Sequence, residues 1–158
     1  ATLINGQDMF SERRGYHITF CPFEVEFLCL TPFGQSPTYA ATGYLGQSVL
    51  TLNEEVSNSG TIRSKPVIIM VVSAASAVTE LTFTNQTRGE AIKLVAPISA
   101  GDTVRFDSET LEVSINGVLK DYTGSFPLLD TGANSFTMAV TGSSILYDLT
   151  IKHKTPYL

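Results

Sequence analysis

The fold is decided by the stretch of residues 101–136, which reads GDTVRFDSETLEVSINGVLKDYTGSFPLLDTGANSF. Apolar and polar residues alternate along it with a period of two, which is typical of strands that bury one face. Val104 and Phe106 point to one side of the first strand. Asn116-Gly117 predicts a tight hairpin, because both central positions of a type I′ turn need positive φ. The stretch therefore predicts three strands joined by two turns.

The same alternation continues on both sides of this stretch and predicts about eight strands in residues 48–158. Residues 66–72 are apolar on both faces, as in a central strand covered on both sides. Residues 73–79 are rich in Ala and Ser and predict a loop or a weak helical turn. No segment has a sustained helical apolar stripe, so no long helix is expected. Residues 48–158 are therefore predicted to form an all-β domain, an antiparallel β-sandwich.

The residues before this domain have a different pattern. Residues 1–34 are predicted to form an N-terminal arm with one strand, at residues 21–30. Prolines and a glycine then interrupt regular structure, and residues 35–47 are interpreted as a linker or loop. Cys21 and Cys29 lie on one face of the predicted strand, roughly 26 Å apart. That distance is too long for a disulfide, so both are interpreted as buried free thiols.

Composition excludes several classes of function. The 158 residues carry a net charge of −5 and only 16% charged residues, whereas a nucleic-acid binder needs a clustered positive surface. The longest apolar run is too short to cross a bilayer, so membrane insertion is not expected. The first residues have no signal-peptide pattern and no initiator Met, as expected of a processed chain or a fragment of a longer protein. No metal-ligand spacing or phosphate-binding loop occurs, so we expect no metal and no cofactor.

Asp130-Thr131-Gly132 resembles the active-site motif of aspartic proteases, in which the aspartate shares a proton with a second carboxylate. The motif occurs once, and too little chain follows it to complete such a lobe. Asp, Thr and Gly are also ordinary turn residues. We therefore interpret the motif as a turn and expect no catalytic residue and no enzymatic activity. Neither His17 nor His153 has the local partners of a catalytic triad, and His153 is interpreted as a solvated residue at a strand end.

Sugar binding is a second function to consider, because β-sandwiches often bind sugars. Sugar sites usually present an aromatic platform, most often Trp, and this chain has no Trp. Four tyrosines follow no evident pattern and are interpreted as core or edge residues: Tyr39, Tyr44, Tyr122 and Tyr157.

Several short motifs occur in order along residues 20–158. They are EFLCLTPF at 26–33, NSG at 58–60, PVI at 66–68, NQTRGE at 85–90, ISAGDT at 98–103, NG at 116–117, LDTGAN at 129–134 and KTPYL at 154–158. Each is weakly specific alone. The ordered set resembles the C-terminal half of the distal tail proteins of long-tailed, non-contractile (siphovirus-type) bacteriophages.

The resemblance implies a structural component of a phage tail tip, located in the virion. In that family an N-terminal belt domain forms a hexameric ring between the tail tube and the hub. The C-terminal domain is a galectin-like or carbohydrate-module-like jelly roll that faces outward and contacts receptor-binding proteins. Residues 1–34 are interpreted as a remnant of the belt domain, so a hexameric ring is expected only with the full belt. The alternative is a carbohydrate-binding module for a host cell-surface glycan. No partner contact is assigned to a residue.

Overall fold

The computed structural model describes residues 34–157 of the chain. The predicted strand at residues 21–30, both cysteines and His17 lie outside the described residues. All regular structure in the described part is β-strand, and no helix there is long and apolar enough to cross a membrane.

In residues 34–157, eleven strands form two antiparallel sheets. Their bounds are β1 Gly34–Gln47, β2 Thr51–Asn58, β3 Val67–Ser76, β4 Val78–Asn85, β5 Glu90–Ile98, β6 Thr103–Asp107, β7 Glu112–Ile115, β8 Val118–Leu119, β9 Tyr122–Gly124, β10 Gly132–Thr141 and β11 Ser144–Tyr157. The six-stranded sheet has the order β1-β11-β3-β6-β7-β8, and the five-stranded sheet has the order β2-β10-β4-β5-β9. The predicted antiparallel β-sandwich is confirmed.

The core lies between the two sheets. Phe83 on β4 and Phe106 on β6 meet across it edge to face, with ring centroids 5.0 Å apart. The period of two predicted the inward residues of the last two long strands correctly. They are Phe136, Met138 and Val140 on β10, and Ile145, Tyr147, Leu149 and Ile151 on β11. Such alternation buries one face of each strand, which defines the sandwich.

The predicted Asn116-Gly117 hairpin is present between β7 and β8. Asn116 and Gly117 have φ values of 52° and 78°, as a type I′ turn requires. The Asn116 side chain also fixes the neighbouring turn: its Nδ2 donates to Asp102 Oδ1 at 2.7 Å, and its Oδ1 accepts from the Thr103 amide at 2.8 Å. The two turns at this end of the sheet therefore hold each other.

The interpretation of residues 35–47 as a linker or loop is wrong. They belong to β1, which pairs with β11 from Gly34 opposite Tyr157 to Gln47 opposite Tyr147. The glycines, Pro37 and small polar residues suggested a loop, but the register shift between Gln35 and Tyr39 accommodates the proline. Among the described residues, β1 is thus the first strand of the six-stranded sheet. The division of the whole chain into arm and sandwich stays a prediction.

Two expectations about β3 are also wrong. Residues 73–76 continue the strand instead of forming a loop, and the chain passes to β4 of the other sheet through Ala77, at a φ of 51°. β3 is not covered on both faces: Ile68 and Met70 are buried, whereas Val71 is 44% exposed on the outer face. Apolar residues on an outer face look like a covered strand in sequence, because periodicity reports residue type and not coverage.

Candidate protein-interaction site

His153 is buried, so its interpretation as a solvated strand-end residue is wrong. It is 2% exposed, and its Nδ1 lies 3.4 Å from the carbonyl oxygen of Lys154. The inward alternation of β11 continues past Ile151 through His153 to Thr155. The flanking lysines face outward and gave the segment a solvated pattern in sequence. His153 is a core residue.

Asp130 lies in a short connection before β10 that bends at Thr131, where the sequence predicted a turn. The turn is shorter than expected, because β10 already begins at Gly132. Asn134 closes it: its Oδ1 accepts from the Asp130 amide at 2.8 Å, and its Nδ2 donates to the Asp130 carbonyl at 2.8 Å. Asp130 Oδ1 is 3.0 Å from Arg63 Nε and 2.8 Å from Arg88 Nη1. We call Arg63, Arg88, Glu90 and Asp130 the ion-pair cluster.

The second carboxylate of the ion-pair cluster is separated from Asp130 by a guanidinium. Arg88 Nη2 is 2.8 Å from Glu90 Oε1, and the Leu128 amide donates to Glu90 Oε2 at 2.9 Å. Burial acts to raise the pKa of Glu90, but the hydrogen bonds from Arg88 and Leu128 outweigh it and lower that pKa. A carboxylate pair that shares a proton needs one raised pKa and direct contact. Arg88 instead forms a clamp: its guanidinium joins Glu90, at the start of β5, to Asp130, in the segment before β10.

A cluster of buried amides lies beside this clamp; Asn58, Asn85 and Asn134 form it, and we call it the amide cluster. All three are at most 1% exposed. They donate to backbone carbonyls of the segment before β10: Asn58 to Leu129, Asn85 to Leu128 and Asn134 to Asp130. A buried backbone group without a partner is costly, so these amides hold the segment in place. Sequence reasoning assigned the three asparagines to turns and missed this role; their positions at the ends of apolar strands were the available signal.

The tyrosines do not form a common platform. Tyr39 on β1 lies opposite Lys154, whose Nζ is 5.4 Å from its ring centroid. Tyr44 lies opposite the buried Leu149 and donates to the Glu55 carbonyl at 3.2 Å. Lys154 and Leu149 are on opposite faces of β11, so Tyr39 and Tyr44 are on opposite faces of β1. Tyr122 belongs to β9 of the other sheet, and no shared exposed aromatic face results.

An open groove of about 350 Å³ lies where the edge strands β8 and β9 meet, on the side of the sandwich away from β1 and β2. The residues that line it are Leu111, Glu112, Val113, Leu119, Lys120, Asp121 and Tyr122. Leu111 is 57% exposed and Leu119 is 63% exposed, and Val118 beside them is 60% exposed. Apolar side chains are therefore concentrated at the rim of a concave surface.

Leu111 has a left-handed backbone conformation, and its side chain is exposed at the rim of the groove. Leu111 has a φ of 59°, a left-handed conformation that costs a residue with a Cβ about 1–2 kcal/mol. Tyr122 Oη donates to the Leu111 carbonyl at 3.3 Å, and the Tyr122 ring meets Phe126 edge to face at 5.0 Å. The sequence predicted Leu111 as an inward strand residue. That prediction is wrong because β7 begins one residue later, at Glu112.

Asp107 produces the turn that places Leu111. Its Oδ1 accepts from the Glu109 amide at 2.9 Å and from the Thr110 amide at 3.2 Å. Burial acts to raise the pKa of Asp107, but the hydrogen bond from Arg105 and these two amides outweigh it and lower that pKa. The ionised carboxylate therefore holds residues 108–111 in the turn that places Leu111 at the groove.

The fold and these surfaces define a β-sandwich in which the carboxylates and carbonyls of the ion-pair and amide clusters have internal partners. Its β8–β9 side carries a groove lined by both apolar and charged side chains. The described residues hold no group of three or more His, Cys, Asp or Glu that is suited to a metal ion.

Residues 59–157 match the model of the siphovirus-type tail component, C-terminal domain. The chain belongs to this family, which confirms the resemblance to distal tail proteins. It is a structural component of the phage tail and is located in the virion.

A solved structure supports the fold independently. The SPP1 Dit protein, described as a paradigm of the hub adsorption apparatus in phages that infect Gram-positive bacteria, is similar with a TM-score of 0.56 and 17% identity. The similarity covers 82% of this chain and 51% of that protein. The chain therefore spans about half the length of the protein it matches. No curated protein matches the chain in sequence.

Proposed function

We propose that this sandwich mediates assembly of the phage tail tip, by docking a neighbouring tail-tip or receptor-binding protein in the β8–β9 groove. The observation that carries the proposal is the set of exposed apolar side chains around the groove, Leu111, Val118, Leu119 and Tyr122. A tail component functions by contacting other tail proteins, and a concave surface bordered by exposed apolar side chains is suited to such a contact.

The energetics of the groove favour docking by side chains. Single exposed apolar residues are normal on protein surfaces, but here they converge on one concavity. Burying apolar area stabilises an interface by about 25 cal/mol per Å². β8 has two residues and β9 has three, so these edges offer little backbone for pairing with a partner strand. An apolar side chain inserted between Leu111 and Leu119 is therefore the expected anchor.

The charged residues of the groove are expected to orient the partner. Glu112, Lys120 and Asp121 lie among the apolar residues, which gives the groove both signs of charge. Charges at the rim of an interface affect specificity and association rate more than affinity. We therefore expect the docked segment to combine an apolar anchor with flanking charged residues of both signs.

The candidate partners are the tail tube, hub and receptor-binding proteins, and a hexameric ring is proposed only for a chain with the full belt domain. The role is proposed to be non-enzymatic, because the carboxylates of the ion-pair cluster are each paired with arginine. The carbohydrate-binding alternative predicted a common face for Tyr39, Tyr44 and Tyr122, and no observation on the described residues favours it.

The proposal is tested by measuring the affinity of the chain for each of the other tail-tip proteins of the same phage. Leu119→Asp places a charge in the groove and is expected to weaken binding of one of them at least about tenfold, which corresponds to about 1.4 kcal/mol. The matched control is Leu45→Asp, because Leu45 is 74% exposed on β1, on the other side of the sandwich. Equal affinities of the two variants would contradict docking in the groove.

A further inference from the structure

The hairpin between β7 and β8 contains a chemically reactive pair, Asn116-Gly117, and both residues are exposed. Glycine has no side chain to shield its backbone nitrogen, so this nitrogen can attack the side-chain amide of the preceding asparagine. The bond from Gly117 N to Asn116 Cγ forms, the Cγ–Nδ2 bond breaks, and Nδ2 leaves as ammonia with the proton of the Gly117 amide. Water then breaks one of the two bonds from this nitrogen to a carbonyl carbon, which gives aspartate or isoaspartate.

Two hydrogen bonds hold the side-chain amide of Asn116 on the far side of its strand from β8. In the sheet, β7 lies between β6 and β8. Asn116 Nδ2 donates to Asp102 Oδ1 at 2.7 Å, and Asn116 Oδ1 accepts from the Thr103 amide at 2.8 Å. Both partners lie at the start of β6, whereas Gly117 leads into β8. The amide group therefore has to leave these two hydrogen bonds before the Gly117 nitrogen can reach it.

Asp102 is itself held in place. Its Oδ2 accepts from the Ser99 amide at 2.8 Å, and its backbone carbonyl accepts from the Val72 amide at 2.9 Å. A hydrogen bond to an ionised carboxylate is stronger than one between neutral groups. Asp102 is therefore a fixed acceptor that restricts the rotation of the Asn116 side chain.

We propose that Asn116 is a deamidation site, that Asp102 delays the reaction, and that the product opens the β7–β8 hairpin. Deamidation replaces the Nδ2 donor by a carboxylate oxygen. Two like charges then face each other where a hydrogen bond of 2.7 Å was. Isoaspartate also lengthens the backbone of the turn by one atom, and the register of a hairpin depends on the length of its turn.

The hairpin supports one wall of the β8–β9 groove. β8 has two residues, and both pair with β7. The Lys120 amide extends this pairing by donating to the Val113 carbonyl at 2.8 Å. Leu119 and Lys120 line the groove, so an opened hairpin displaces this wall. The proposal does not depend on docking in the groove, because its tests measure the chemical form of residue 116 and the opening of the hairpin.

The first test measures how fast residue 116 is converted in the folded 158-residue chain. The chain is kept in mildly alkaline buffer, which favours loss of the amide proton, and peptide mass spectrometry gives the fraction of aspartate and isoaspartate. Asp102→Ala removes one hydrogen bond and is expected to speed conversion about fivefold. The control is Asp121→Ala, which removes an exposed carboxylate between β8 and β9 and is expected to convert at the wild-type rate. Equal rates in wild type and Asp102→Ala overturn the protective role of Asp102.

The second test measures the effect of the product on the hairpin. Asn116→Asp has the aspartate product in place from the start, and hydrogen exchange of the Lys120 amide is expected to be about fivefold faster than in wild type. Combining Asn116→Asp with Asp102→Asn exchanges donor and acceptor, so this double variant is expected to restore slow exchange even though it keeps the aspartate. Wild-type exchange in Asn116→Asp, or equally fast exchange in the double variant, overturns the opening of the hairpin by charge repulsion.

Discussion

The polar end of the sandwich, which the amide cluster and the ion-pair cluster form, differs from the β8–β9 groove in whether its side chains have partners within the chain. At the polar end, the amide cluster and the ion-pair cluster give partners to buried carbonyls and to both carboxylates. In the groove, Leu111 and Leu119 expose apolar surface, and Leu111 does so at the cost of a left-handed backbone. Polar groups with internal partners indicate a structural role. Exposed apolar groups that border a concave surface are what the proposed interface needs.

This difference changes how the Asp-Thr-Gly motif is understood. The motif drew attention because its residue types occur in catalysis, yet Asp130 is committed to two arginines and to a turn. The residues that carry the proposed contact are two leucines, a valine and a tyrosine. Variants in the two regions test this difference. Those at the polar end should change stability, and those in the groove should change partner binding.

The largest effect is expected for Asn134→Ala at the polar end. Asn134 is fully buried, and its removal leaves the amide and carbonyl of Asp130 without their partner. An orphaned buried group costs about 1–3 kcal/mol, and both groups here are part-buried, so we expect the free energy of unfolding to fall by about 2 kcal/mol in urea denaturation. Ser135→Ala, at the exposed neighbour, is the control and should change it little. A loss below about 1 kcal/mol would show that the amide cluster is dispensable.

The next largest effect is expected for Glu90→Gln, and its size should depend on pH. Because its pKa is lowered in the folded chain, Glu90 contributes stability above its usual pKa of 4.5, and this contribution is lost as pH falls through the folded value. Glu90→Gln is expected to cost about 1.5 kcal/mol at neutral pH. The difference from wild type should shrink below pH 4.5. Chemical denaturation across a pH series measures it, and a difference that is constant with pH would contradict the charge-based clamp.

A smaller effect of opposite sign is expected for Leu111→Gly in the groove. Glycine adopts the positive φ of this position freely, so the release of about 1–2 kcal/mol of strain offsets its entropic cost. We expect the free energy of unfolding to stay the same or to rise by up to about 1 kcal/mol, while partner binding weakens. Glu112→Gly, one residue along in β7, is the control and should destabilise. A Leu111→Gly chain that is clearly less stable would mean that the leucine serves folding instead of docking.

The smallest effect is expected for Asp130→Asn. Asp130 is 34% exposed and Arg63 is 62% exposed, and ion pairs at such positions contribute about 0–1 kcal/mol. We expect the change in the free energy of unfolding to stay within about 0.5 kcal/mol. A peptidase assay of the same two chains adds a functional check. Peptidase activity in the wild type that is lost in Asp130→Asn would contradict the structural role of the motif.

Local pattern was enough to predict the sandwich. Alternation on β6, β10 and β11 identifies inward residues such as Phe106, Met138 and Leu149, because a strand in a sandwich buries every second side chain. The Asn116-Gly117 hairpin follows from backbone sterics alone. These features depend on neighbours in sequence, which is why the sequence reports them.

The errors concern features that depend on distant partners. β1 is a strand because β11 is long enough to pair with it, and nothing in the composition of residues 35–47 indicates this. The groove forms from the edges of two different sheets, so Leu111 and Tyr122 come together only in the tertiary structure. The amide cluster likewise joins Asn58, Asn85 and Asn134 from three strands.

The central claim, that the β8–β9 groove docks another tail protein, is tested most directly by site-specific photo-crosslinking in assembled virions. A photoreactive residue replaces Leu119 in the groove or, as the control, Leu45 on β1, and mass spectrometry identifies the cross-linked protein. The account predicts that position 119 cross-links to a different protein of the tail and that position 45 does not cross-link to that protein. Absence of cross-links at position 119, or cross-links of both positions to the same protein, would contradict it.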